Sequence, residues 1–415
     1  MPRSVWNVAR LPSRPSLDSP PMPLHLLALL LALACAATAH AAPFTPANDS
    51  EVVERLPSSA NDPSVRRVDS LRKQLAAQPN DNALRVEIAR RYFDMAMAQG
   101  DPRYVGYASA ALGPMAATAA NNGAYWLAKG LVQQYSHDFA GGLQSLTRAS
   151  ELDPQSPEPI AWRAAIYMVQ ARYAEALAEC TRLVPLTIPL HSQGCTAYVL
   201  ASTGQLLAAY DALARELAAA GPVAPELVLW VQTRLADMAL RLQRTAQAEA
   251  HFKEAFRQGV TDQYLLGAYS DFLLQQKRPA EVVALLAAWE RSDILLLRLA
   301  LAGKALNDSR AKGWADQLRD RFAAATLRGD RLHEQEAARF ELDVEGHPDQ
   351  ALALASRNYT AQKEARDAEI LLRAALAAHQ PKAAQPALDW LRSTHYEDPA
   401  LARVADQLAA AGATR

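Results

Sequence analysis

The chain has 415 residues, a formal net charge of −1, 7% aromatic residues and alanine at about one position in five. That composition favours helix throughout, and 17 Gly with 25 Pro placed mainly between apolar periodic segments leave little material for an all-β or doubly wound sheet. Near-neutral charge with no basic face also lacks the electrostatic footprint of a nucleic-acid binder, so no nucleic acid is expected as a ligand.

The amino terminus reads as an address. Arg3, Arg10 and Arg14 precede an apolar run from Leu24 to Ala37, too short to cross a bilayer, and Ala39-x-Ala41 follows as a cleavage signal. Residues 1–41 are therefore expected to be a cleaved signal peptide and the mature protein to be periplasmic or secreted. A lipoprotein acylated at Cys35 is the competing reading, disfavoured because Ala32 stands where such sites usually carry Leu. Met22 is an alternative start that would lose the three arginines. No later segment reaches ~18 consecutive apolar residues, so no membrane span is expected in the mature chain.

Residues 42–62, rich in Pro, Ser, Asn and Asp, read as a leader. Asp62-Pro63 then caps a helix over 63–78 with Val65, Val68, Leu71 and Leu75 on one face. From there the chain repeats with a period near 34. Small or compact residues recur in matching contexts at Ala108, Gly142, Ala176, Ala209, Ala248, Val282, Ala315, Ala351 and Ala384. One longer interval coincides with the insertion Gly221-Pro222-Val223-Ala224-Pro225. Twelve residues before each anchor stand Ala96, Gly130, Ala164, Ala197, Ala236, Ser270, Gly303, Arg339 and Leu372, mostly small; four residues after stand mostly apolar side chains. Small residues facing each other let two helix backbones approach, so each unit reads as an antiparallel helix pair.

The second unit carries Trp126, Gly130, Leu146, Ala149 and Pro154; the third carries Ala164, Tyr167, Ala176 and Leu183; the fifth carries Leu235, Ala236, Ala248, Phe252 and Ala255. In these the chain resembles the tetratricopeptide repeat (TPR) family, with repeats over 79–290, strong over 124–290 and weaker over 79–123, and in degenerate form over 291–395, where Arg339, Leu372, Arg319 and Asn358 depart from the pattern. It looks similar to exported bacterial TPR proteins of no assigned activity, with Gly100-Asp101-Pro102-Arg103-Tyr104-Val105-Gly106-Tyr107 as a feature of that group. The resemblance implies an all-α, right-handed solenoid of about nine antiparallel helix pairs, closed by capping helices at 63–78 and 396–415.

No catalytic signature stands out. The nine His lack metal-ligand spacing, so they read as solvated surface groups with neither metal nor cofactor. Acidic runs such as Glu341, Asp343 and Glu345, or Asp316 and Asp320, read as solvated helix faces. Soluble lytic transglycosylases place a helical superhelix before a lysozyme-like domain, but the repeats here run almost to residue 395 and leave no room for one. Cys180 and Cys195 fall on adjacent antiparallel helices at equal distances from their turn, which fits either a disulfide or two separate buried thiols.

In TPR proteins the first helix of each unit lines a concave groove. Carried across by repeat phase, the groove residues are Leu131, Gln134 and Tyr135; Trp162, Ala165 and Val169; Arg234, Asp237 and Arg241; and Asp271 and Gln275. The expected function is a non-enzymatic scaffold that takes a protein or peptide partner there, with Trp162 and Tyr135 as anchors and Arg234 and Arg241 meeting carboxylates. Solvent-facing aromatics along the groove would favour a glycan-binding or envelope-assembly role instead. A deep pocket gathering His or carboxylates from separate units would favour an enzyme.

Overall fold

The computed structural model describes residues 62–413. The expected signal peptide, Cys35 and nearly all of the leader lie outside these residues. Helix α1 (Pro63–Ala77) opens the described chain, its first turn capped by the Asp62 carboxylate on the Ser64 amide. Nine helix pairs follow: unit 1, α2 (Asn82–Gln99) and α3 (Arg103–Leu112); unit 2, α4 (Gly123–Tyr135) and α5 (Phe139–Leu152); unit 3, α6 (Glu158–Val169) and α7 (Tyr173–Leu183). Unit 4 is α8 (Pro189–Ala201) and α9 (Leu206–Ala219); unit 5, α10 (Pro225–Arg241) and α11 (Thr245–Arg257); unit 6, α12 (Gln263–Gln275) and α13 (Pro279–Leu285). Unit 7 is α14 (Asp293–Leu306) and α15 (Ala311–Leu327); unit 8, α16 (Glu334–Phe340) and α17 (Pro348–Asn358); unit 9, α18 (Ala365–Ala377) and α19 (Gln385–Thr394). Helix α20 (Pro399–Ala413) ends the chain, and no strand occurs among the described residues. The fold is an all-α, TPR-like solenoid.

The pairs pack as the small-residue argument requires. A Cβ added to Gly130 of α4 would lie 2.7 Å from Cγ and 3.3 Å from the backbone nitrogen of Leu146 on α5, so the two helices touch through the missing side chain. Ala108, Ala176, Ala248 and Val282 are fully buried at the matching second-helix positions. The turn inside each pair contains one residue with positive φ: Gly100, His137, Ala171, Gly204, Gln243, Lys277, Asn307, Gly346 and His379. Six of the nine are not glycine and carry roughly 1–2 kcal/mol of backbone strain each, which the packed helices on either side must overcome. At Gly100 the need is double, since φ is +65° and a Cβ there would also fall on the Gln263 side chain of unit 6.

That last contact reveals the tertiary arrangement. Units five or six apart along the chain meet, so the superhelix completes a turn and packs on itself. The Lys363 amide donates to the Val169 carbonyl at 2.7 Å, and Trp390 Nε1 donates to the Tyr173 hydroxyl at 3.0 Å. The Leu206 amide donates to the Glu397 carboxylate at 2.6 Å. Cys180 of α7 and Cys195 of α8 are joined by a disulfide that ties units 3 and 4 together.

Two acidic and basic readings from the sequence need correction. The run Glu341–Glu345 is a wide π-type turn rather than a solvated helix face: Asp343 and Glu345 keep only 19% and 18% of their side chains exposed and pair with Arg373 and Arg319. His333 is likewise no surface histidine, with 13% of its side chain exposed beside Glu336.

Candidate functional site

The first helices of all nine units converge on one cavity of about 730 Å³. Because each first helix presents one stripe toward the superhelix axis, closure of the turn encloses that stripe instead of leaving an open trough. Of the residues expected in the groove, Gln134, Tyr135, Trp162, Val169, Asp237, Asp271 and Gln275 line the cavity. Four do not. Leu131 is fully buried between helices, because the stripe is narrow and its neighbour Gly130 draws α4 tightly onto α5. Ala165 is exposed and off the wall. Arg234 stands behind the wall, its guanidinium 4.2 Å from the Tyr198 ring centroid and 5.1 Å from that of Tyr264, with a hydrogen bond to the Tyr264 hydroxyl. Arg241 is 5% exposed, stacks 3.9 Å from the Tyr396 centroid and donates to the carbonyls of Glu397 and Ala201. It is a strut that fastens the carboxyl-terminal segment to units 4 and 5, and meets no outside carboxylate.

Charge on the wall is uneven. Asp237, Asp262, Asp271, Glu336, Asp343, Glu364, Asp367 and Glu369 face four guanidinium groups, those of Arg298, Arg339, Arg366 and Arg373. A ladder of ion pairs uses most of the latter. Asp271 accepts from Arg298 at 2.7 Å and from Arg339 at 2.8 Å; Arg373 reaches Asp343 at 2.6 Å and Glu369 at 3.5 Å. Burial pushes the Asp271 carboxyl up, but the two guanidinium charges, Arg298 first, outweigh it and hold the group down at about 2. Glu336 is likewise buried yet held at about 2 by His333, whose own value is raised by that carboxylate against its burial. Glu369 shows the opposite balance, with desolvation raising it more than the charges of Arg373, 3.5 Å away, and Arg339 lower it. Asp367 is raised to about 7, by burial first and by the Glu364 charge second. It is nonetheless a structural group: 2% exposed, it accepts from Asn358 at 2.8 Å and from the Glu364 amide at 2.9 Å at the start of α18.

Aromatic rings complete the wall: Tyr135, Phe139, Trp162, Tyr198, Phe252, Tyr264, Phe272 and Tyr396. Burial pushes the Tyr135 phenol up to about 12, so it stays a neutral donor. Among the described residues no group of three or more His, Cys, Asp or Glu is placed to hold a metal ion.

No protein-family model matches the sequence, and no curated protein matches it. Solved structures of helical repeats do. A chain of the APC/C hetero-tetramer Cut9–Hcn1 is 14% identical, with 75% of this chain matched to 52% of that one at a TM-score of 0.37. The TPR domain of P58(IPK) is 12% identical over 79% of this chain and 98% of its own, at 0.23. A chain of Naa15/Naa10 bound to HypK-THB is 13% identical over 83% and 63%, at 0.26. This chain thus spans about half the length of the first of these and just under two thirds of the third. The TPR-like class rests on the nine helix pairs themselves.

The position one residue after each first-helix anchor gives Met97, Tyr198, Asp237, Asp271 and Arg373 on the cavity wall, and Leu131, Ala165, Lys304 and Phe340, which do not line it. Seven residues earlier, two helical turns along the same face, stand Tyr264, His333 and Arg366, which line it too. Asp343, Glu364 and Tyr396 have no such signal, because they come from turns that only tertiary closure brings to the axis.

Proposed function

We propose that the protein is an exported, non-enzymatic scaffold that receives a short, basic segment of a partner protein in its central cavity. The carrying observation is the convergence of nine first helices on one space whose wall has twice as many carboxylates as guanidinium groups and eight aromatic rings. Surplus negative charge steers cations inward, and Tyr135 and Trp162 are the Tyr and Trp rings of the wall left for a partner's Lys or Arg, since Tyr198, Tyr264 and Tyr396 carry Arg234, Arg366 and Arg241. Size limits the length. At the roughly 120–170 Å³ per residue that helix dimensions imply, 730 Å³ takes about four to six residues of a partner.

The state of the carboxylates supports a binding role over catalysis. Asp271 and Glu336 are fixed as ion-pair members at about 2, and Asp367, the one held near 7, has its two carboxylate oxygens engaged by Asn358 and by the Glu364 amide in a helix cap. Export is supported by the basic, apolar and Ala39-x-Ala41 segments of the sequence and by the Cys180–Cys195 bond, which an oxidising compartment sustains.

A photo-crosslinking amino acid at Gln134, on the cavity, is compared with one at Lys312, whose side chain is 85% exposed, in intact cells of the source organism. Adducts from Gln134 alone are expected. In parallel, fluorescence anisotropy compares Lys-rich with Glu-rich decapeptides on the mature protein, with and without Asp237→Asn plus Glu369→Gln. Equal adducts at both positions, or preference for the acidic peptide, would overturn the proposal. Cell fractionation with amino-terminal sequencing tests export, Ala42 being the expected first residue.

A further inference from the structure

The charges of the central cavity are confined to part of its wall. Units 1 to 3 contribute Met97, Gln134, Tyr135, Trp162 and Val169 among their lining residues, and no carboxylate, guanidinium or ammonium group. Burial lowers the His137 imidazole, so it adds no charge near neutral pH. The carboxylates and guanidinium groups of the wall all come from Asp237 onward, in units 5 to 9 and their connecting turns. Closure sets the two stretches against each other along the seam where the superhelix packs on itself. Gly100 of unit 1 meets the Gln263 side chain of unit 6, His137 of unit 2 lies 3.4 Å from Gln362, and the Lys363 amide bonds to Val169 of unit 3. A segment lying in the cavity therefore touches an uncharged face and a charged face at once.

The uncharged face is built on one aromatic floor. Phe93 of α2 is buried and packs edge-on against Tyr135 of α4, at 6.4 Å between ring centroids, and against Trp162 of α6, at 5.6 Å. Three units thus meet at one ring. Met97 stands one helical turn after Phe93 and is 41% exposed, further than any other hydrophobic side chain on the wall. Cation–π contact uses the ring faces of Tyr135 and Trp162. Met97 has neither ring nor charge, and only an apolar side chain gains by covering it.

On the charged face most carboxylates are already committed. Asp271, Glu336, Asp343 and Glu364 are largely covered and each has a cationic partner. Asp237 and Glu369 keep 43% and 49% of their side chains exposed, with their nearest cations at 3.6 and 3.5 Å. They are the carboxylates with room for an ammonium or guanidinium group from outside. No guanidinium is left in return: Arg298 and Arg339 hold Asp271, Arg373 holds Asp343, and Arg366 lies over the Tyr264 ring. An acidic side chain entering the cavity would meet no free counter-charge.

We infer that the segment received in the cavity is amphipathic: a bulky aliphatic side chain covers Met97 beside Tyr135 and Trp162, and a Lys or Arg of the same segment meets Asp237 and Glu369. Amphipathicity is a requirement beyond the basic character proposed above, on which it rests. Recognition then divides along the chain, units 1 to 3 selecting for carbon and units 5 and 9 for positive charge. A purely basic segment satisfies one face and leaves the other wet.

Fluorescence anisotropy on the mature protein compares three labelled hexapeptides, blocked at both ends: alternating Leu-Lys, Ser-Lys and Leu-Ser. Leu-Lys is expected to bind about tenfold or more tighter than Ser-Lys, the effect of burying a leucine-sized side chain, and tighter than Leu-Ser. Met97→Gln replaces carbon by an amide of similar length at an exposed position, which the fold tolerates. It should weaken Leu-Lys about threefold or more and leave Ser-Lys unchanged. Asp237→Asn plus Glu369→Gln should weaken both Lys peptides. Affinities for Leu-Lys and Ser-Lys within about threefold of each other would overturn the amphipathic requirement and leave the basic segment standing. So would Leu-Lys binding unaffected by Met97→Gln, or equal weakening of both Lys peptides by that change. Leu-Ser binding as tight as Leu-Lys, or no binding of any of the three, would overturn the basic segment as well.

Discussion

Replacing Arg241 by Gln tests whether closure of the superhelix depends on one buried cation. The Arg241 side chain is 3% exposed, donates to the carbonyls of Glu397 and Ala201, and stacks on Tyr396, so it holds the segment before α20 onto units 4 and 5. Each charged hydrogen bond contributes roughly 1.5–3 kcal/mol and the cation–π contact about 0.5–2 kcal/mol. Relief from burying a charge offsets part of this, leaving roughly 3–5 kcal/mol, the usual cost of removing one partner from a buried charged network. Detachment of the carboxyl-terminal segment should then become more frequent by about two to four orders of magnitude. Native-state hydrogen exchange reads it at the Leu206 amide, which donates across the seam to Glu397 at 2.6 Å. The Leu265 amide, bonded to the Asp262 carboxylate within its own turn, serves as the control. Exchange at Leu206 unchanged within about threefold, or equal acceleration at Leu265, would refute the reasoning.

Three further outcomes are expected. Opening the Cys180–Cys195 bond, 15 residues apart, by Cys180→Ser plus Cys195→Ser should cost about 3 kcal/mol in urea unfolding, and no loss would show that the bond closes no freely moving loop. Asp367, at about 7 when folded against ~3.9 unfolded, keeps its proton longer in the native state. Its contribution is therefore present below about pH 4 and lost as pH rises toward 7; chemical denaturation between pH 5 and 8 should show stability falling in the parent and a shallower fall in Asp367→Asn. Gly130→Ala, which drives a Cβ to 2.7 Å from Leu146, should destabilise by roughly 1–3 kcal/mol, whereas Gly106→Ala, open on all sides in α3, should stabilise by about 0.5–1 kcal/mol. Equal effects of the two would show that the close approach of α4 and α5 is not tight.

The helix pairs were legible because their causes are local. Gly130 facing Leu146, the caps at Asp62, Asn122 and Asp262, and Ala176 and Ala248 at their buried positions are all dictated by neighbours within about 34 residues, and a period in the sequence records them. Tyr135, Trp162, Asp237 and Asp271 were found for the same reason, since repeat phase fixes which way a first helix faces. The turn residues were not legible: Ala171, Lys277 and His379 adopt positive φ because flanking helices force them to, and nothing in their chemistry announces it.

The amino-acid sequence by itself determined the class of fold, the number of units and most of one stripe of the cavity. Tertiary structure decided what that stripe encloses. A solenoid adds a small rotation at every unit, and whether nine such rotations end as an open trough or a closed turn depends on their sum, to which no single motif corresponds. Closure turned Arg241 from a candidate contact into a strut, carried Asp343 and His333 from an expected surface to the axis, and created the seam at Val169 and Lys363. Contacts between residues some 200 positions apart set these roles, and no periodicity of 34 contains them.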